Sequence, residues 1–387
     1  MPIGNGLESM KYSFKNDYSE TCHPRLLQAL QKIEVEQVGG YGEDPYSEEA
    51  RELIRAIIED PEAGVFFVSG GTQANLLVIA SFLRPHESVI CADTGHINVH
   101  EAGAIEATGH KIHGVASSDG KLKVQDIAAV LKEHTNVPHM VKPRLVYISN
   151  STELGTVYRK EELSELSRFC REKDLYLFLD GARLGNALVA EGENQKKAGR
   201  KEPLLKAQAS KVSSFGHCGE DASGTGSLKL SDLPRFCDAF TMGGTKNGAL
   251  FGEAIVLSHP EVAKEFSFHV KQRGALLAKG WIIGVQFREL FRDDLYFELA
   301  RHANRMAAKL ARAFQERGCP FLSEPQTNQI FPILSDATIE KLLHHYEFYH
   351  WSRIDRDHTA VRLVTSWATP ETVVDEFIGL FLSNDTD

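Results

Sequence analysis

Lys246 lies in the run Met242-Gly243-Gly244-Thr245-Lys246-Asn247-Gly248, and Asp180 ends the apolar run Leu175-Tyr176-Leu177-Phe178-Leu179 and opens Asp180-Gly181-Ala182-Arg183. Taken singly they read as a surface lysine and a capping aspartate. Taken together they are what an aldehyde cofactor carrying a pyridine nitrogen requires. The amine forms a Schiff base, and the carboxylate keeps the ring nitrogen protonated so that the ring withdraws electrons. Pyridoxal phosphate is the cofactor with that chemistry.

Three other groups bear on this reading. Val65-Phe66-Phe67-Val68 runs into Ser69-Gly70-Gly71-Thr72-Gln73-Ala74-Asn75 and then the helical stretch Leu76 to Leu83. A glycine-rich turn that opens a helix points free backbone N–H groups at an anion, and the Thr72 hydroxyl adds a donor. The turn matches neither nucleotide fingerprint, which favours a phosphate monoester. His96 and His100 have the i, i+4 spacing of a metal pair, but the H-E-x-x-H pattern fails, and His96 fits better as a ring stacked on the pyridine face. Arg362, inside the strand pattern Ala360-Val361-Arg362-Leu363-Val364-Thr365, is either an ordinary exposed strand residue or a two-pronged grip for a substrate carboxylate.

Short apolar runs alternate with helix-length segments and must position these groups. The strands are expected at Gly64 to Val68, Ser88 to Ala92, Arg144 to Ile148, Leu175 to Leu179, Ala239 to Met242 and Ala254 to Leu257. This order predicts an α/β fold with a mostly parallel sheet covered on both faces, its ligand at the strand ends. The large domain is expected over residues 23–258, after an N-terminal segment 1–22 and before a small α+β domain over 259–387 that begins with a linking helix. In that small domain the pattern predicts helical character through Phe314, strand Gln329 to Leu334, helix Thr338 to His345, strands Phe348 to Trp351 and Val361 to Thr365, and a last helix capped by Thr369-Pro370. Residues 191–231, rich in Lys, Glu, Gln, Ser and Gly, read as a surface insertion.

A 387-residue chain that is 42% hydrophobic can build such a core. Its net charge of −10 argues against nucleic acid or an anionic membrane as the main partner and favours a small metabolite. The six cysteines are scattered without a C-x-x-C pair, which suits reduced thiols in the cytoplasm. The start of the chain has no signal-peptide pattern, and no run approaches the roughly 18 apolar residues of a spanning helix.

The motifs Tyr41-Gly42-Glu43-Asp44-Pro45, Ser69 to Asn75, His96 with Glu101-Ala102-Gly103, Asp180-Gly181-Ala182-Arg183-Leu184, Gly244-Thr245-Lys246 and Arg362-Leu363-Val364-Thr365 together resemble those of low-specificity L-threonine aldolases, in the β-eliminating lyase superfamily. The likeness runs from about Phe14 to Phe381. It implies a fold-type I, pyridoxal-phosphate-dependent carbon–carbon lyase, a homodimer or homotetramer with active sites between subunits, that splits L-threonine or L-allo-threonine into glycine and an aldehyde. By position it makes Lys246 the Schiff-base lysine with Thr245 beside it, Asp180 the partner of the ring nitrogen and Arg183 a neighbour of the phenolic oxygen. Gly71 and Thr72 would hold the phosphate, aided by Arg273 from the neighbouring subunit. His96 would stack on the ring, Arg362 would bind the substrate carboxylate, and Tyr41 would line the substrate pocket.

Two positions depart from the family pattern. Asn16-Asp17 stands where many members have Ser-Asp, and Asn16 can still donate to a carboxylate. Ser151-Thr152-Glu153 stands where some carry an Asn-Thr-His run, and Glu153 could act as a base if burial raises its proton affinity. Two alternatives remain open: β-elimination on an amino acid with a leaving group at Cβ, and a non-catalytic protein that retains the fold.

Overall fold

The computed structural model describes residues 11–33, 37–196 and 226–383. A seven-stranded sheet runs in the order Gly64–Val68, Glu253–Leu257, Ala239–Gly243, Tyr176–Asp180, Lys142–Ser149, Glu87–Ala92, Ile112–Val115. Every pairing is parallel except the two made by Glu253–Leu257. Successive side chains point to opposite faces of a strand. Accordingly, Leu145 and Tyr147 join one core cluster with Phe178, Val89 and Cys91, while Val146 and Ile148 join the other with Leu177 and Leu179. Both faces are covered, so these strands read as unbroken apolar runs.

The helix Gly71–Phe82 is apolar all round, with Leu77, Val78, Ile79 and Phe82 buried, and lies between the sheet and the helix Pro260–Gln272. The 22-residue helix Leu295–Glu316 links two cores. Its first turns pack Tyr296 and Leu299 against Cys22, Leu26 and Ala249, close to the Lys246 loop. Its later turns bring Met306, Leu310 and Phe314 into a second core with Phe14, Leu342, Val361, Leu363 and Phe377. That core lies under a small antiparallel sheet in which His358–Val364 pairs with Ile333–Ser335, Tyr349–Arg353 and Gln329–Ile330. Tyr12–Ser13 pairs with Tyr346–Glu347, which attaches the start of the chain to this second core.

Several local expectations need correction. The helical stretch before Phe314 is three helices, Pro260–Gln272, Trp281–Leu290 and Leu295–Glu316, broken where Gly274, Asp293 and Asp294 take left-handed backbone angles. The strand expected over Gln329 to Leu334 is two strands separated at Pro332, whose nitrogen has no hydrogen to give a ladder. The edge strand Ile112–Val115 was not anticipated, because His113-Gly114 interrupts its short apolar pattern. The final helix starts at Glu371 with Pro370 rather than Thr369 as its cap. Most of the expected insertion lies outside the described residues. Its last residues are not an excursion, since Leu228 and Leu230 are buried in the large core. Among the described residues, no helix is long and apolar enough to cross a membrane.

Candidate active site

One edge of the large sheet collects the carboxyl ends of the parallel strands and the amino end of Glu253–Leu257. Five of the connections leaving this edge line one cavity. They contribute Gly71, His96, Glu153, Asp180 with Arg183, and Lys246, together with Asn75 and Ser149. Six of the twelve residues singled out in the sequence therefore converge.

Asp180 is the most heavily supported. Its Oδ2 accepts from the Tyr147 hydroxyl at 2.6 Å and from Asn75 Nδ2 at 3.0 Å, and its Oδ1 accepts from Ala182 N at 2.9 Å. Burial works to raise its carboxyl, but these donors and the nearby His96 outweigh burial and hold it below the usual carboxylate range. Lys246 stands at the adjoining strand end. Burial and the Arg183 guanidinium push its amine below the ordinary lysine value, partly offset by Asp17, Asp180 and Glu253. Such an amine sheds its proton more readily and becomes a nucleophile.

Arg183 is locked by Asp17, with Nε 2.7 Å from Oδ2 and Nη2 2.9 Å from Oδ1, while Asn328 donates to the same Oδ2 at 2.9 Å. Glu153 sits against His96. Its Oε1 accepts from His96 N at 3.0 Å and from Ser149 Oγ at 2.7 Å, yet burial still raises its carboxyl above the ordinary value. Glu253, 4% exposed, accepts from Gly244 N at 3.2 Å and is pushed up to about 7 by burial.

The features a phosphorylated pyridine and an amino acid require can be checked directly. At Gly70 and Gly71 an added Cβ would meet nothing within 4 Å, and no side chain caps the helix they open. That leaves uncapped N–H groups facing open space, which suits a phosphate. Arg362 Nη2 donates to Gln329 Oε1 at 2.8 Å, but its buried Nε has no partner. Burial first, then Arg183, lowers this guanidinium to about 10. A buried, unpaired donor of this kind suits a carboxylate.

The other predicted residues lie apart from the cavity lining. Thr72 is half-buried in the first turn of its helix. Thr245 Oγ1 accepts from Gly252 N at 3.0 Å and so fastens the lysine loop. Asn16 Oδ1 accepts from Tyr18 N and Ser19 Oγ, forming a turn, while its neighbour Asp17 points inward. Tyr41 is 49% exposed with Lys271 Nζ 4.6 Å from its ring centre, and Arg273 bonds to His269 and Gln272 on its own helix.

Sequence reasoning did not single out Tyr147, Ser149, Asp17, Asn328, Gln329 or Glu253. A signal existed for two of them: Tyr147 and Ser149 are polar positions two apart at the end of their strand, hence on one face.

The β-eliminating lyase family matches residues 18–337. The chain belongs to that family. A low specificity L-threonine aldolase of Pseudomonas aeruginosa, itself a protein of similar length, is 30% identical over 330 residues, covering 84% of this chain and 85% of the relative. A solved threonine aldolase of Leishmania major superposes with a TM-score of 0.85 at 41% identity, covering 96% of this chain and 98% of the other. An aromatic aminotransferase of Pyrococcus horikoshii, at 16% identity and a TM-score of 0.62, shares the fold alone. Within this lyase family the α/β architecture read from the strand pattern is the observed one.

Proposed function

We infer that the protein is a pyridoxal-phosphate-dependent aldolase that cleaves L-threonine, L-allo-threonine and related β-hydroxy-α-amino acids to glycine and an aldehyde. The observation that carries this reading is the pairing of Lys246 with Asp180 at adjoining strand ends, beside an open helix start, in a chain so similar to threonine aldolases. Bound there, pyridoxal phosphate supplies a sink for the electron pair left on Cα when the Cα–Cβ bond breaks.

Each side chain then has a task. Lys246 would hold the cofactor through its aldehyde carbon, with Thr245 keeping its loop in place. Asp180 keeps the ring nitrogen protonated, because its own charge is retained by neutral donors. Arg183, fixed by Asp17, would supply a positive charge to the cofactor's phenolic oxygen. Gly71 and Thr72 hold the phosphate. Arg362 grips the substrate carboxylate, with Asn16 near that end of the site, and thereby turns the Cα–Cβ bond toward the direction in which it can break. His96 would supply an aromatic face to the cofactor's ring. The β-hydroxyl proton leaves toward the acceptors His96 and Glu153, and a proton returned to Cα completes glycine.

Tyr41 and Arg273, exposed in a single chain, support a homodimer or homotetramer in which a neighbouring copy completes the site. The five described cysteines are free, which supports a reducing compartment such as the cytoplasm.

The test is purified holoenzyme given L-threonine, L-allo-threonine and a β-aryl serine, with aldehyde and glycine measured together. Equal yields of the two support the reading. Pyruvate with ammonia would move the chain to β-elimination, and absence of aldehyde from every substrate would refute cleavage.

A further inference from the structure

His96 is held at two points, through its backbone N–H and through Nδ1. Glu101 follows the short helix His96–Val99, and its side chain is fully buried. Its Oε1 lies 2.8 Å from His96 Nδ1 and accepts from Asn75 Nδ2 at 2.7 Å. The same Asn75 nitrogen donates to Asp180 Oδ2 at 3.0 Å. An amide standing between two carboxylates turns its NH2 toward both, so the orientation of Asn75 is forced. A carboxylate oxygen that already accepts from Asn75 is an acceptor for the imidazole as well. Nδ1 therefore carries a proton, and in the neutral ring Nε2 carries the lone pair.

The ring is also fixed along the chain, since the His96 backbone N–H donates to Glu153. His100 stands beside it, with ring centres 5.5 Å apart. Two buried acceptors in this cluster, Glu101 Oε2 and Asn75 Oδ1, have no donor, an arrangement that stability alone does not favour.

We propose that Glu101 is a positioning residue that fixes His96 as its Nδ1–H tautomer and presents Nε2 to the cavity as the acceptor for the substrate's β-hydroxyl, with Asn75 tying this pair to Asp180. The proposal rests on the aldolase reading and names which atom of His96 serves it. A carboxylate that orients a histidine through one nitrogen governs what the other nitrogen can do.

The experiment is a two-bond proton–nitrogen spectrum of histidine-labelled holoenzyme, with His96→Asn identifying the signals, alongside steady-state aldehyde release. Wild type shows the Nδ1–H tautomer. Glu101→Gln retains it, because the amide oxygen still accepts from Nδ1, and keeps kcat within about tenfold. Glu101→Leu loses the tautomer lock and about 100-fold or more of kcat, with a much smaller change in KM.

An Nε2–H tautomer in wild type overturns the proposal, as does a Leu variant with wild-type kcat. If the Leu variant does not fold, the wild-type and Gln spectra decide alone. Wild-type holoenzyme that releases no aldehyde defeats the aldolase reading instead, while the spectrum still judges the Glu101 contact.

Discussion

The floor of the cavity and its outer side are built in opposite ways. On the floor, three charged side chains are fixed by hydrogen-bonding partners: Asp180 by Tyr147 and Asn75, Arg183 by Asp17, and Glu153 by Ser149 and the His96 backbone. On the outer side, Tyr41 is exposed and Arg273 half-exposed, and their side chains touch only residues of the nearby helix ending at Gln272 among the described contacts. Among the described residues, a single chain thus fixes the charged floor, and on the proposed reading a neighbouring copy encloses it. Water must be excluded for electrostatic interactions to act at full strength, and that is the task left to the outer side.

If the floor carries the chemistry, damage there has the largest consequences. Lys246→Ala should abolish both the visible absorbance of the bound cofactor and aldehyde release, measured on protein whose fold is verified by circular dichroism. A variant that retained turnover would break the comparison at its centre. Asp180→Asn comes next. It keeps the shape and most hydrogen bonds but removes the charge that holds the ring nitrogen protonated, and should lower kcat roughly 1,000-fold while the cofactor stays bound. A loss below tenfold would mean that the charge of Asp180 serves the fold and not the ring.

The same contrast explains what the sequence made legible. Floor residues sit where an apolar run stops, so Asp180, Lys246 and the Ser69–Thr72 turn stood out against strands whose both faces are buried. Their supports were harder to see. Tyr147 looks like a core aromatic until its hydroxyl is found on Asp180, Asn328 reaches Asp17 across 311 residues of chain, and Gln329 meets Arg362 from a different strand. Such contacts depend on tertiary placement, which periodicity does not encode. Asn16 stands out by its place in the family motif, whereas its neighbour Asp17 makes the inward contact, which only tertiary placement reveals. The expectation for residues 259–314 failed for a local reason: two Asp residues and a Gly in left-handed geometry break what composition alone suggests is continuous helix.

Asp17 offers a test on stability. Burial would raise its carboxyl, but Arg183, Lys246 and Asn328 hold it below the ordinary value of 3.8. A folded-state value below the unfolded one means that this stabilisation is fully present above the ordinary carboxylate value and is lost as pH falls through the depressed one. Asp17→Ala leaves Arg183 buried without its partner and should cost about 3–5 kcal/mol at neutral pH. Urea midpoints of the two proteins should converge as pH drops below the ordinary carboxylate value. A gap independent of pH would assign the effect to packing.

The smallest expected effect belongs to the outer side. Arg273→Ala removes one charged donor from a half-exposed position, so cofactor affinity should fall about tenfold, equivalent to roughly 1.4 kcal/mol. If Arg273 serves a neighbouring copy, the loss should appear only where subunits are associated. Cofactor titrations at falling protein concentration, read beside sedimentation velocity, separate the cases. In the wild type, affinity should weaken as the assembly dissociates and approach that of the variant, whose own affinity should depend less on concentration. A wild-type affinity that stays constant through dissociation would show that one chain holds the cofactor unaided, and the outer side would then be surface whose exposure carries no functional meaning.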